Sequence, residues 1–230
     1  MTNRLRAHLA SALRGGSRFP DRAAAGRALA GDLAHLAGRP KLVVLGLPRG
    51  GLPVAYEVAA ALDAPLDVFL VRKLGVPGQE ELAMGAIASG GIRVVNHPVV
   101  DHLGIAPAEV EAVTRSEAEV LAVREAAYRG DRPPLDLSGA TVILVDDGLA
   151  TGASMRAAAA AVRRQSPAHL VVAVPVAATE TCEAMAAVAD EVVCSLRPTA
   201  FHAVGLWYED FSQVDDHQVT ELLARAWSRG

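Results

Sequence analysis

The residues best equipped for chemistry lie together in residues 141–154, TVILVDDGLATGAS. The apolar run Thr141–Val145 reads as a strand that delivers Asp146 and Asp147 at its carboxyl end, where open α/β sheets bind ligands. A small-residue loop and a helix start follow at once. Free amides at a helix start attract phosphate, with the dipole adding roughly 0.3–1 kcal/mol per charge. Thr151 and Ser154 add hydroxyl donors. Two carboxylates beside such a nest would repel the anion unless they face something else. Sugar hydroxyls suit them, because a hydrogen bond to a charged group contributes about 1.5–3 kcal/mol. A phosphate with vicinal hydroxyls a short distance away describes a ribose 5-phosphate. A mere turn cap would not need two acids, a glycine and two hydroxyl residues in one loop.

Three further stretches surround this one. Leu47, Pro48, Arg49, Gly50 and Gly51 end the first apolar run; the glycines let amides approach an anion, and Arg49 offers a bidentate fork. Arg72 and Lys73 open a Gly- and Pro-containing stretch over residues 73–83 that reads as a long, mobile loop, with Glu80 and Glu81 in solvent. Residues 201–211 hold Phe201, His202, Trp207, Tyr208 and Phe211; aromatic rings stack on planar bases or close a core, and both readings stand here. His202 and Trp207 are the candidates from this stretch. His8, His35, His97, His102, His169 and His217 lack metal-site spacing.

These stretches need elements to position them. Residues 21–37 read as a helix capped by Asp21, with Ala25, Leu29, Leu33 and Leu36 on one face. Residues 41–47 form a nearly continuous apolar run, as in a strand buried on both faces. A helix after Pro53 presents Val54, Val58, Ala61 and Leu62 inward. Residues 66–71 give a second strand, and residues 85–89 and 92–95 a short hairpin across Gly90 and Gly91. Residues 107–128 form the longest helix, where Glu117 and Arg124 interrupt the apolar face, either pairing across a helix interface or lying at a wet margin, with the margin the preferred reading. After the third strand, Thr141–Val145, come a helix from 152 to about 165, a strand at 170–174, a helix through 180–188 and a short strand at 191–194. This alternation predicts a parallel sheet with helices on both faces.

The 230 residues are 51% hydrophobic and 21% charged, enough to bury a sizeable core. A formal charge of −4 argues against nucleic acid as a partner. Cys182 and Cys194 show neither metal-ligand spacing nor a disulfide framework, so a reducing interior is the expected compartment. The most apolar segment, 169–179, is about half the ~20 residues a spanning helix needs and contains Pro175. The Arg-rich start, residues 1–16, lacks the apolar core of a secretory signal and reads as a surface helix. The expectation is a cytoplasmic protein without a membrane partner.

Residues 142–154 resemble the signature of the type I phosphoribosyltransferases: an apolar strand, an acidic pair and a small Thr/Ser- and Gly-containing loop. The LPRGG and VRKLGVPGQEELAMGAIASGG wording also resembles a bacterial subgroup of predicted phosphoribosyltransferases, over roughly residues 19–225. The resemblance implies an α/β fold, a mainly parallel sheet flanked by helices, with a small variable hood. It suggests one domain over residues 1–230 whose hood comes from 15–38 and 195–230, the hood choosing the acceptor.

It implies that Asp146 and Asp147 hold the ribose hydroxyls of phosphoribosyl pyrophosphate, or of another ribose 5-phosphate compound, and orient the water shell of Mg2+. It gives the 5′-phosphate to Leu149, Ala150, Thr151, Gly152, Ala153 and Ser154, with Gly148 also in the substrate-binding set. Pro48, Arg49, Gly50 and Gly51 fall in the place of the pyrophosphate loop; Arg72 and Lys73 would stabilise the leaving pyrophosphate as a flexible loop closes. Arg49, Lys73, Asp146 and Asp147 are the implied catalytic set. Trp207 joins the substrate-binding set, with the acceptor unidentified and a homodimer in keeping with the family.

Two departures stand out. Gly148 replaces the bulky aliphatic residue usual after the acids, which predicts a looser loop. Ala150 stands where 6-oxopurine salvage members carry an acid, which argues against hypoxanthine or guanine as acceptor. The implied reaction is displacement of pyrophosphate by a base or amine. Its competitors are a non-catalytic regulator sensing phosphoribosyl pyrophosphate or a nucleotide, and a hydrolase or phosphotransferase acting on a phosphorylated ribose.

Overall fold

The computed structural model describes residues 18–229. The readings of residues 1–16, of His8 and of the first part of the hood, 15–17, lie outside the described residues.

The chain enters through helix α1 (Arg22–Asp32), which Asp21 caps by accepting from Ala24 N at 2.7 Å. A 3-10 turn, Ala34–Leu36, follows, so the helix foreseen to 37 ends sooner. Strand β1 (Leu42–Gly46), helix α2 (Gly51–Leu62) and strand β2 (Leu66–Val68) come next. The chain then leaves the first sheet for β3 (Val71–Val76), β4 (Gln79–Ala88) and β5 (Ile92–Val95). Helices α3 (His97–Leu103) and α4 (Pro107–Arg129) lead back to β6 (Thr141–Val145). The remainder is α5 (Ala153–Arg163), β7 (His169–Val176), α6 (Thr179–Ala184), β8 (Glu191–Leu196) and α7 (Asp216–Trp227).

The main sheet is five-stranded and wholly parallel, in the order β2-β1-β6-β7-β8. Its central strands are buried on both faces, as their unbroken apolar runs require. Leu42 and Val44 of β1 and Ile143 and Val145 of β6 pack in one core with α1, α2, α4 and α7. Val43, Leu45, Val142 and Leu144 face the opposite core with α5 and α6. The parallel sheet and its helical layers are as the sequence predicts.

Several local expectations change. Residues 73–83 are not a loop: β3, β4 and β5 form a second, antiparallel sheet that packs on α4 and α5. Register shifts at Leu74/Gly75 and Gly75/Val76 erase the period-two pattern by which the pair would be recognised. Gly75 is required there, because a Cβ would lie 2.8 Å from Glu80 O. The foreseen turn at Gly90 and Gly91 is present with φ of 79° and 72°, joining β5 to a β4 longer than expected.

The strand expected at 66–71 splits at Phe69 and Leu70, where the chain passes between sheets. Ala61 is exposed, and Ala55 and Ala59 complete the inward face of α2 instead. Glu117 is not at a wet margin; it is ion-paired with Arg72 of β3, whereas Arg124 is exposed. Helices α3 and α7 add to the expected elements. Cys182 of α6 and Cys194 of β8 form a disulfide, contrary to the reading of both as thiols; the packing of α6 on β8 brings their Cα atoms to 6.7 Å, which spacing alone does not reveal. Residues 169–179 contribute a strand, and among the described residues no helix is long and apolar enough to cross a membrane.

Candidate active site

The site lies at the carboxyl ends of β1 and β6, where α2 and α5 both begin. β1 and β6 pair in register from Leu42↔Thr141 to Gly46↔Val145, so the turns that follow them are side by side. The glycines of the first turn exist for that contact. A Cβ on Gly50 would stand 2.1 Å from Asp147 Oδ2, and one on Gly51 2.8 Å from Val145 O and 2.9 Å from Asp146 Cα. Gly51 N–H donates to Leu47 O at 3.0 Å, which leaves the amides of Arg49 and Gly50 without a protein partner among the described residues.

Each acid has one oxygen committed and one free of protein partners among the described residues. Asp146 Oδ1 accepts from Asp147 N at 2.8 Å, and Asp147 Oδ2 accepts from Arg22 Nε at 2.8 Å. Burial, and then the charge of Asp147, push the Asp146 carboxyl well above the usual carboxylate range. Burial also raises Asp147, opposed by its hydrogen bond and ion pair with Arg22. Both acids are thus poised to gain from polar hydrogens that a ligand would bring.

The loop beyond them is fastened rather than loose. A Cβ on Gly148 would lie 2.6 Å from Val204 Cγ1, so the missing aliphatic side chain is replaced by one reaching in from the tail. Leu149 is buried in the core and its N–H donates to Val176 O at 3.0 Å, so its amide is already used. Ala150 O accepts from Thr181 Oγ1 at 2.7 Å. Gly152 takes φ of 69° and starts α5, as its lack of a side chain permits. The amides of Ala150, Thr151 and Gly152 have no protein partner among the described residues, and that of Ala153 reaches Thr151 Oγ1 at 3.5 Å. Thr151, Ala153 and Ser154 are exposed at this helix start. The result is an anion nest.

The other foreseen cations are not gathered at the acids. Arg49 is exposed, with Nη1 3.8 Å from Asp216 of α7. Arg72 is held by Glu117, and Lys73 Nζ lies 3.3 Å from Glu81 Oε2. Pro48 is half-buried. In the tail, Trp207 is partly buried and packs with Phe19 and Tyr208, while His202 is exposed. Main-chain bonds from Phe19 N to Trp207 O and from Glu209 N to Phe19 O, both 2.8 Å, stitch the start of α1 to the tail.

That stitching brings in residues that sequence reasoning passed over. Arg22 joins α1 to Asp147, and Tyr208 OH donates to Asp147 O at 2.6 Å. Tyr208 stood in the aromatic cluster but gave no sign of its hydrogen bond; Arg22 gave no signal at all, being 125 residues from its partner. Among the described residues no group of three or more His, Cys, Asp or Glu could cage a metal. Two carboxylate oxygens without protein partners do fit magnesium carried on phosphate oxygens with its own waters, which needs few protein ligands.

Known proteins resemble this chain. The family model described as the phosphoribosyl transferase domain matches residues 18–208. Two curated Mycobacterium tuberculosis proteins, "Putative phosphoribosyl transferase MT0597" and its counterpart Rv0571c, are each 47% identical over 208 residues, 90% of this chain. The chain spans about half the length of these relatives, 47%. The crystal structure of TT1426 from Thermus thermophilus superposes with a TM-score of 0.82 at 46% identity, over 90% of this chain and 98% of that one. By this family match and these relatives, the chain belongs to the phosphoribosyl transferase domain family.

Proposed function

We propose that this protein transfers the phosphoribosyl group of phosphoribosyl pyrophosphate to a base or amine, releasing pyrophosphate. One observation carries the reading: two adjacent carboxylates, each with one oxygen free of protein partners among the described residues, stand beside a helix start whose amides are likewise unpartnered there. The ribose hydroxyls would donate to Asp146 and Asp147, and the amides of residues 150–153 would take the 5′-phosphate. The amides of Arg49 and Gly50, in the adjoining turn, would suit the pyrophosphate. Magnesium, held by its waters against Asp146 and Asp147, would neutralise the leaving group. The protein's own contribution is position and electrostatics: the anionic groups are fixed at two helix starts while the twin acids favour positive charge developing on the sugar.

For Arg72 and Lys73 to meet the leaving group, the Glu117 and Glu81 pairs must exchange as the β3–β4 hairpin moves. That same observation favours a second reading, a sensor of the sugar phosphate: Arg49, Arg72 and Lys73 all have carboxylate neighbours already. Incubation with phosphoribosyl pyrophosphate, magnesium and a panel of bases and amines separates the two. The transferase releases pyrophosphate and yields a nucleotide of the expected mass with at least one acceptor. Tight binding without pyrophosphate release across the panel selects the sensor.

A further inference from the structure

Arg22 is the first residue of α1, an unfavourable place for a cation because the helix dipole is positive there. Asp21 already caps that helix. The guanidinium nonetheless sits with its side chain only 10% exposed, which is costly unless the charge is paired. Two segments hold it through three contacts: Nε donates to Asp147 Oδ2 at 2.8 Å, while in the tail Ser212 O accepts from Nη1 at 2.8 Å and the Phe211 ring centroid lies 3.8 Å from Cζ. A Cβ on Gly50 would also come within 3.4 Å of Arg22 Nε, so the guanidinium reaches the first turn as well. Among the described residues no other Lys or Arg pairs with either acid.

We propose that Arg22 is a positioning residue for the sugar-phosphate site, clamping Asp147 Oδ2 against Gly50 so that Oδ1 is left for the ligand. The inference rests on the reading of the acidic pair as the receiver of the ribose hydroxyls. A carboxylate free to rotate would offer either oxygen in many orientations. Fixing one oxygen at two walls, a glycine Cα and a guanidinium that is itself anchored, leaves the other with one orientation. The same contact cancels one of the two negative charges that a polyanionic ligand must approach. Arg22 acts through Asp147 and need not touch the ligand.

The test is calorimetric titration with ribose 5-phosphate at fixed magnesium, on wild type, Arg22→Met, Arg22→Lys, Asp147→Asn and the Arg22→Met/Asp147→Asn double variant. Arg22→Met is expected to weaken binding about tenfold or more, the loss of a charged hydrogen bond. The double variant is expected to bind no more weakly than Asp147→Asn, because both changes remove one interaction. Arg22→Lys recovers part of the affinity, keeping the charge while a point donor cannot serve Asp147 and Ser212 together. With phosphoribosyl pyrophosphate in a turnover assay, KM rises more than kcat falls.

Wild-type affinity in Arg22→Met, or additive losses in the double variant, overturns the inference while leaving the site reading intact. A wild type that binds no ribose 5-phosphate overturns the site reading and this inference with it. Should Arg22→Met fail to fold, Arg22→Lys and its combination with Asp147→Asn complete the cycle, and full affinity in Arg22→Lys then counts against the clamp.

Discussion

The phenolic hydroxyl of Tyr208 donates to the main-chain oxygen of Asp147 at 2.6 Å, so the tail grips the acidic turn by its backbone. Burial, followed by the charge of Asp147, pushes the phenol far above its ordinary pKa, and the donor therefore stays protonated at any working pH. Tyr208→Phe keeps the ring and its contacts with Phe19 and Phe211 while removing the hydroxyl. The abandoned carbonyl should cost about 1–3 kcal/mol, read as a lower midpoint in urea with an unchanged slope. Affinity for ribose 5-phosphate should fall as well, because the turn that orients Asp147 loses its outer support.

The acids themselves predict a pH dependence. Asp146 is held well above its ordinary range by burial and by the charge of Asp147, so the folded state holds its proton more tightly than the unfolded chain. Its contribution to stability is complete below the unfolded pKa, about 4, and is lost as pH rises toward the raised folded value. Asp146→Asn carries no charge at any pH. The variant should therefore be more stable than wild type at pH 8, with the advantage shrinking as pH falls toward 4. Denaturant titrations at the two pH values measure this. The gain is expected to accompany a loss of sugar-phosphate binding, which would show that the acidic pair is kept for function at the expense of stability.

Much of the fold was legible because its signals are local. The apolar runs of β1, β6 and β7 can be read as strands covered on both faces, and the acids and glycines after them mark the carboxyl end of the sheet. The β3–β4 pair was illegible because two register shifts scramble the alternation that betrays a strand. Glu117 looked like a solvated interruption of a helix, since only the second sheet, 45 residues earlier in the chain, supplies Arg72 as its partner. Within the site, the acids and the amide nest could be named from their spacing. Val204 against Gly148 could not, because a side chain filling the space of a missing neighbour is a tertiary substitution. Leu149 could be placed in the loop but not in the core, where its burial takes its amide away from any phosphate.

The disulfide between Cys182 and Cys194 ties α6 to β8 across a sequence separation of 12 residues. Its neighbour Thr181 holds Ala150 O, so α6 also supports the phosphate loop. Closing a loop of this size should stabilise the fold by about 2–3 kcal/mol through the unfolded state. Thiol titration of the unfolded, unreduced protein should find no free cysteine, and reductant should lower the melting temperature. Cys182→Ser/Cys194→Ser should match the reduced protein and be indifferent to reductant. Two free thiols in protein kept under air would refute the bond.

Gly50→Ala is the sharpest probe of the contact between the two turns. Gly50 has φ of −61° and ψ of −32°, which alanine adopts without strain, so the backbone itself gives no reason for glycine. The only objection is steric: the new methyl would stand 2.1 Å from Asp147 Oδ2 and 2.8 Å from its Cγ. One of the two must yield, and the carboxylate is the softer partner. Turning it away breaks the Arg22 contact and moves the oxygen meant for the ribose. The variant should therefore keep its secondary structure by circular dichroism and melt within a few degrees of wild type. Its affinity for ribose 5-phosphate should nevertheless drop about tenfold or more, the cost of one charged hydrogen bond. Wild-type binding in Gly50→Ala would mean that the acid can move without consequence, and that its position against the first turn is packing alone.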